Sequence, residues 1–351
     1  MQPFVYNSAP SRVIFGRGAS LSLAAELDRL GLKRALVLST PQQEEQSLSI
    51  ASNLEWRLAG SFHEAAMHTP TDVTAAGVGL AREINADCLV AIGGGSTIGL
   101  GKAIAWRTGL PQVVVPTTYA GSEMTPILGQ TEDGLKTTIR NPKIQPQTVI
   151  YDVDLTLSLP AQISVTSGLN AAAHAAEALY ARDGNPVISL LAEEAIRVLT
   201  QALPQIVDDE RNVEARSKAL YGAWLCGICL GSAGMALHHK LCHTLGGSFD
   251  LPHAATHCVI LPYALDYNRP EIPDAMVAMS RAMGGVDAAK GFRALAKKLG
   301  APTSLQALGF DEADIARAAE LATENAYWNP RPIENAPIRS LLTRAWRGDE
   351  V

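Results

Sequence analysis

Five of the eight histidines in the chain lie between residues 238 and 257: His238, His239, His243, His253 and His257. His239 and His243 stand four residues apart, so a helix places both rings on one face. His253 follows a Gly-Gly pair and a Leu-Pro turn. Upstream, Asn170 and His174 repeat the four-residue spacing with an amide and an imidazole. Imidazoles gathered in this way commonly hold a divalent metal. Such a site wants a carboxylate where Asn170 stands, because an amide oxygen is a neutral and weaker donor. With three neutral imidazoles and one amide, the set is expected to lack its only anion.

A second constellation is suited to phosphate. Ala91-Ile92-Gly93-Gly94-Gly95-Ser96-Thr97 closes an apolar strand and opens a helix. Glycines there let the backbone approach a diphosphate, and a helix N-terminus offers free N–H groups and a positive dipole end. Ser96 adds a hydroxyl and a helix cap. Gly99 and Gly101, beside Lys102, allow close helix–sheet approach. The spacing is not the G-x-G-x-x-G fingerprint, and it follows a later strand rather than the first. Thr117-Thr118-Tyr119-Ala120-Gly121-Ser122-Glu123 ends the next strand, where ligands of open α/β sheets collect. Hydroxyl-rich turns also cap helices, so this segment alone fits either role.

The elements that must position these groups fall into two kinds. Apolar strands at 34–39, 60–62, 88–92, 112–116 and 148–152 alternate with helices over 19–30, 43–58, 71–84 and 96–107. That alternation specifies a parallel sheet covered on both faces. Phe4-Val5-Tyr6 and Arg12–Gly16 read as a short antiparallel pair. After Pro160 the strand signals stop, and helices follow over 162–181, 186–207, 213–230 and 234–245, with several more after 270. We therefore expect an α/β domain over 1–157 and a helical domain over 158–351.

Composition narrows the function classes. The chain has 351 residues, 47% of them hydrophobic and 18% charged, which suits a well-packed globule long enough for two cores. A net charge of −6 without a basic stripe argues against nucleic acid or an anionic membrane as partner. No apolar run approaches the ~20 residues a bilayer span needs. The N-terminus lacks a signal-peptide pattern, so export is not expected and a cytoplasmic setting is. Five scattered cysteines agree with that setting, and Cys226-Gly-Ile-Cys229 reads as a buried structural pair.

Gly93-Gly94-Gly95-Ser96, Pro116-Thr117-Thr118 with Gly121-Ser122-Glu123, and His239-x-x-x-His243 with Leu251-Pro252-His253 together resemble the iron-containing alcohol dehydrogenase family. The resemblance spans essentially the whole chain. Within the family, His238 to His243 most resembles the maleylacetate-reducing branch, whose relatives elsewhere tend to carry a small residue where Lys240 stands.

The resemblance implies a Rossmann-like N-terminal domain and a helical C-terminal domain, in a dehydroquinate synthase-like architecture with the active site in the cleft. It implies a diphosphate loop at Gly93, Gly94, Gly95 and Ser96, with Thr117, Thr118, Ser122 and Lys136 approaching the rest of the cofactor. The family's metal-ligand positions map to Asn170, His174, His239 and His253, and its additional active-site histidine to His243. Ser39 and Thr40 occupy the turn where NAD-preferring relatives carry an aspartate, so NADPH should be tolerated beside NADH.

With Asn170 in place of the carboxylate, no metal is expected. The site instead suits a small dicarboxylate, with His243 as proton donor and His174, His239, His253 and Lys240 binding carboxylate or enolate oxygens. The implied reaction is reduction of maleylacetate to 3-oxoadipate by a homodimer. His238 and His257 are expected to pack or support, and Tyr119 and Arg140 are further pocket candidates. A metal-dependent alcohol or polyol dehydrogenase of the same family and a non-catalytic nucleotide sensor are the competing readings.

Overall fold

Buried apolar strands with helices between them build the first half of the chain. The structure, a computed structural model, describes residues 4, 6, 11–132 and 135–351, apart from the side chains of 131–136. The chain divides between Leu159 and Pro160 into two compact units.

In the first unit, β1 (Arg12–Gly16), β2 (Ala35–Leu38), β3 (Leu58–Phe62), β4 (Cys88–Gly93), β5 (Gln112–Pro116) and β8 (Thr148–Asp152) form one sheet. Its order is β1-β8-β5-β4-β2-β3, and every neighbouring pair is parallel. Helices α1 (Leu23–Leu30), α2 (Glu44–Ala51), α3 (Thr71–Glu83) and α4 (Gly95–Thr108) supply crossovers. Strand residues alternate between two cores because successive side chains point to opposite faces. Val37, Val90, Val113 and Ile150 pack with Leu23 and Leu27, whereas Leu36, Leu38 and Leu89 pack with Leu100 and Ile104.

Two expectations need correcting here. Arg12–Gly16 does not form the antiparallel hairpin. It adds to the sheet edge parallel to β8, with Val13 opposite Val149. Of its expected partner, Val5 lies outside the described residues, and Phe4 and Tyr6 belong to no strand. An antiparallel hairpin does exist elsewhere, between β6 (Ile127–Glu132) and β7 (Leu135–Arg140).

The second unit is helical: α5 (Ala161–Ala178), α6 (Pro186–Asp208), α7 (Val213–Ser232), α8 (Leu237–Ser248), α9 (His253–Asn268), α10 (Pro273–Ala282), α11 (Ala288–Lys298), α12 (Ile315–Thr323) and α13 (Asn335–Arg347). The helix expected from 234 starts at Leu237, and α9 was not expected at all. Its residues are buried almost all round from Thr256 to Leu265, so no amphipathic stripe marks it. Helices α5 and α6 approach so closely that a Cβ on Gly168 would lie 2.8 Å from the Leu203 side chain. Cys226 and Cys229 are buried on α7 and are not disulfide-bonded. Among the described residues no single helix is long and apolar enough to cross a membrane; α7 and α8 pass only as a pair bent by 96°.

Candidate active site

Three helices of the second unit bring the imidazoles together. Asn170 and His174 lie on α5, both 4% exposed. His238, His239 and His243 lie on α8, and His253 and His257 on α9. Ring centroids run 5.1 Å from His174 to His239, 5.9 Å from His239 to His243 and 6.3 Å from His243 to His253, the last pair stacked. His174 and His239 are buried, while His243 and His253 are partly exposed. The spacing argument therefore holds for these rings.

The four positions Asn170, His174, His239 and His253 carry no carboxylate of their own, but one stands directly behind them. Glu177, one turn beyond His174 on α5, is fully buried, and its Oε2 lies 2.6 Å from Nδ1 of His239. The same oxygen accepts the Ala236 N–H at 2.8 Å, and Oε1 accepts the His238 N–H at 2.8 Å. Glu177 thus caps the start of α8, which has no side-chain cap of its own, while it orients His239. The signal was present in the sequence: residues 170, 174 and 177 share one helix face.

Sequence reasoning also missed Tyr327. Its hydroxyl lies 2.9 Å from Nδ1 of His243. Burial, and then the Glu177 charge, hold its phenol above the usual value. Lys240 donates to the Glu324 carbonyl at 2.8 Å, and its Nζ stands 5.8 Å from the Tyr327 ring centre. Burial holds its ammonium below the ordinary lysine value. The Lys240 ammonium thus faces the ring whose hydroxyl meets His243.

His238 and His257 form a core chain. His238 Nε2 and His257 Nδ1 are 2.9 Å apart, and the Cys242 thiol is 3.7 Å from the same His238 nitrogen. Burial, reinforced by neighbouring histidine charge, holds His174, His238 and His257 well below the usual imidazole value, so they are neutral near pH 7.

The donors at the expected metal positions fit a divalent ion poorly. Glu177 orients His239 in the way outer carboxylates orient metal-binding imidazoles. Asn170 Oδ1, His174 Nδ1 and His239 Nε2 are buried without a hydrogen-bond partner. Yet among the described residues the His/Cys/Asp/Glu donors that converge within 4.8 Å are those of His238, Cys242 and His257. His174, His239 and His253 do not reach that spacing, and Asn170 brings no charge. Metal nitrogens at ~2.0–2.1 Å from a shared ion would require closer convergence.

In the first unit, β4 runs through Gly93 and Gly94 into α4, whose N-terminus carries no side-chain cap. Its N–H groups are therefore available to an anion. A Cβ on Gly93 would meet Thr97 Oγ1 at 2.3 Å and one on Gly94 would meet Thr118 Cγ2 at 2.8 Å, whereas Gly95 borders open space. Glycine is thus required for the close turn and leaves the backbone reachable. Ser96 and Thr118 are partly exposed. The Thr117 hydroxyl accepts from Gln43 Nε2 at 2.8 Å.

Lys102, fully buried, donates to the Ser122 and Ile127 carbonyls and to Thr125 Oγ1 at 2.6–2.9 Å. It braces the turn that carries Ser122, and burial pulls its ammonium down to about 7. At the end of β2, Ser39 is buried with Oγ 2.7 Å from His63 Nδ1, and Thr40 follows. The side chain of Lys136 lies outside the described residues. Tyr119 is fully buried and Arg140 exposed.

Comparison with known proteins places this geometry. The family model described as iron-containing alcohol dehydrogenase matches residues 10–153, and the one described as the C-terminal part of the Fe-containing alcohol dehydrogenase family matches 164–346. The chain is 58% identical to a maleylacetate reductase of Rhizobium sp. (strain MTP-10005) over 99% of both chains. It is 56% identical to one of Sphingobium indicum over 98% of both. The crystal structure of maleylacetate reductase from Agrobacterium tumefaciens superposes with a TM-score of 0.96 at 57% identity, covering both chains fully.

Proposed function

The chain belongs to the iron-containing alcohol dehydrogenase family, and from that premise we propose that it reduces maleylacetate to 3-oxoadipate with NADH or NADPH and without a metal ion. The observation that carries the metal-free part is Asn170 at the position where a cation needs a carboxylate, beside imidazoles whose nitrogens do not converge.

Maleylacetate is a dicarboxylate containing an enone. A nicotinamide dinucleotide, when bound, would supply the hydride for the conjugated double bond. Binding of the dinucleotide rests on Gly93, Gly94, Gly95 and Ser96 at the start of α4, with Thr117, Thr118, Ser122 and Lys136 around it. Ser39 and Thr40 put no carboxylate at the end of β2, so a 2′-phosphate meets no repulsion there.

Imidazole N–H groups of His174 and His253 hold carboxylate and enolate oxygens, because hydrogen bonds to charged oxygens are the stronger kind, while His239 stands beside them with its Nδ1 turned to Glu177. His243, partly exposed and anchored through Nδ1, turns Nε2 toward the substrate and gives the proton to the carbon beside the ketone. The product is saturated at both former alkene carbons. The working form is a cytoplasmic homodimer that needs neither nucleic acid nor membrane.

Mixing the protein with freshly generated maleylacetate should deplete the near-ultraviolet absorbance of both NADH and NADPH. A flat trace with maleylacetate, together with turnover of simple alcohols or aldehydes, would replace this reading with that of an alcohol dehydrogenase.

A further inference from the structure

Helices α8 and α9 are fastened to one irregular segment, residues 324–331, and one of the bonds from α8 is made by His243. Lys240 donates to the Glu324 carbonyl at 2.8 Å, and the Leu237 N–H donates to Asn329 Oδ1 at 3.3 Å. Asn329 in turn exchanges amide hydrogen bonds with Asn268 of α9 at 2.7 and 2.9 Å, and Arg331 donates to the Tyr267 carbonyl at 2.8 Å. Between these anchors sits Tyr327, whose hydroxyl has His243 Nδ1 as its hydrogen-bond partner at 2.9 Å.

The direction of that bond follows from acidity. A phenol is a better donor than a neutral imidazole N–H, and an imidazole nitrogen is a better acceptor than a phenol oxygen. Donation by Tyr327 leaves His243 with its proton on Nε2. Resting on the reading given above, we propose that Tyr327 is a positioning residue for the reduction, acting through His243, and that Lys240 serves the site by anchoring Tyr327 rather than by touching substrate.

The proton balance is complete. As Nε2 of His243 gives its proton to the carbon beside the ketone, the Tyr327 proton passes to Nδ1. The imidazole stays neutral, and the negative charge leaves the enolate for the phenol oxygen. An enolate of a ketone is a stronger base than a phenolate, so the transfer runs downhill. Between turnovers Nδ1 returns its proton to the phenolate, and His243, which is partly exposed, takes a new proton from water at Nε2.

The test is Tyr327→Phe, which keeps the ring and removes the hydroxyl. We expect kcat with maleylacetate to fall by about 10- to 100-fold, the lower part of the general-acid range and below, with KM for NADH unchanged. In a His243→Ala background the same substitution should have no further effect, because groups acting as one unit are non-additive. Lys240→Met should lower kcat without raising KM for maleylacetate.

Nitrogen-15 spectra of histidine-labelled protein give a readout independent of substrate. Nε2 of His243 should carry the proton in wild type, and the two tautomers should mix in Tyr327→Phe. A His243 protonated at Nδ1 in wild type, or an additive loss in the double variant, would overturn the proposal. If wild type fails to consume maleylacetate, the functional reading falls, and the tautomer measurement still decides the role of Tyr327.

Discussion

Replacing His243 by alanine is expected to lower kcat for maleylacetate by about 100- to 10,000-fold, the span over which a positioned general acid contributes. KM for NADH should not change, since the dinucleotide loop at Gly93–Ser96 belongs to the other compact unit. His243 is singled out among the imidazoles by two properties. It is partly exposed where His174 and His239 are buried, so it can exchange its proton with solvent between turnovers. It is also held through Nδ1 by the Tyr327 hydroxyl at 2.9 Å. The ring does not build a core: the neighbours that fill the interior of α8 are Leu241, Cys242 and Leu245. The variant should therefore fold, and near-normal turnover by it would remove His243 from the mechanism. Steady-state kinetics with both substrates varied decides this.

Acid should unfold the protein over the imidazole range, before its carboxylates titrate. His174, His238 and His257 are buried, and burial holds all three below the usual value. In the unfolded chain they titrate near about 6.5. Below that pH the unfolded state binds protons that the folded state refuses, so acid favours unfolding. Their folded values are depressed, so the stability they contribute is fully present above about pH 6.5 and is lost as pH falls. Three such groups give a slope approaching about 4 kcal/mol per pH unit. Glu123, raised by burial, opposes this with one proton against three. Urea midpoints measured across the imidazole range should shift accordingly, and His238→Gln should reduce the slope by about one proton. Stability that stays flat between neutrality and the carboxylate range would contradict the assignment of three neutral buried rings.

What the sequence disclosed depended on whether the physical signal was local. Strands β2, β4, β5 and β8 are short apolar runs bounded by turn residues, and all four are fully buried as that pattern requires. β1 alternates between exposed and half-buried positions, which is equally compatible with a hairpin and with a sheet edge. Its true partner lies more than a hundred residues away. The β6–β7 hairpin carries Thr, Gly, Gln and charged residues at most positions, with its few Ile and Leu not in alternation, so no apolar pattern announced it. α9 was hidden by being apolar on every face and by Pro262 inside it.

The histidines and Asn170 were legible because helical spacing alone brings them to one face. Glu177 follows the same spacing, but its partners, His239 and the first N–H groups of α8, lie some sixty residues away, so the spacing alone gave its carboxylate no role. Tyr327 carried no local signal. It reaches His243 from an irregular segment 84 residues away in sequence, and only tertiary packing brings the pair together.

Imidazoles, rather than a bound cation, hold the substrate. Metal content and maleylacetate turnover should be measured on the same purified sample before and after exhaustive treatment with a strong chelator. The account predicts unchanged kcat at substoichiometric metal. Iron or zinc present at one ion per chain, lost together with activity and restoring it on return, would contradict it.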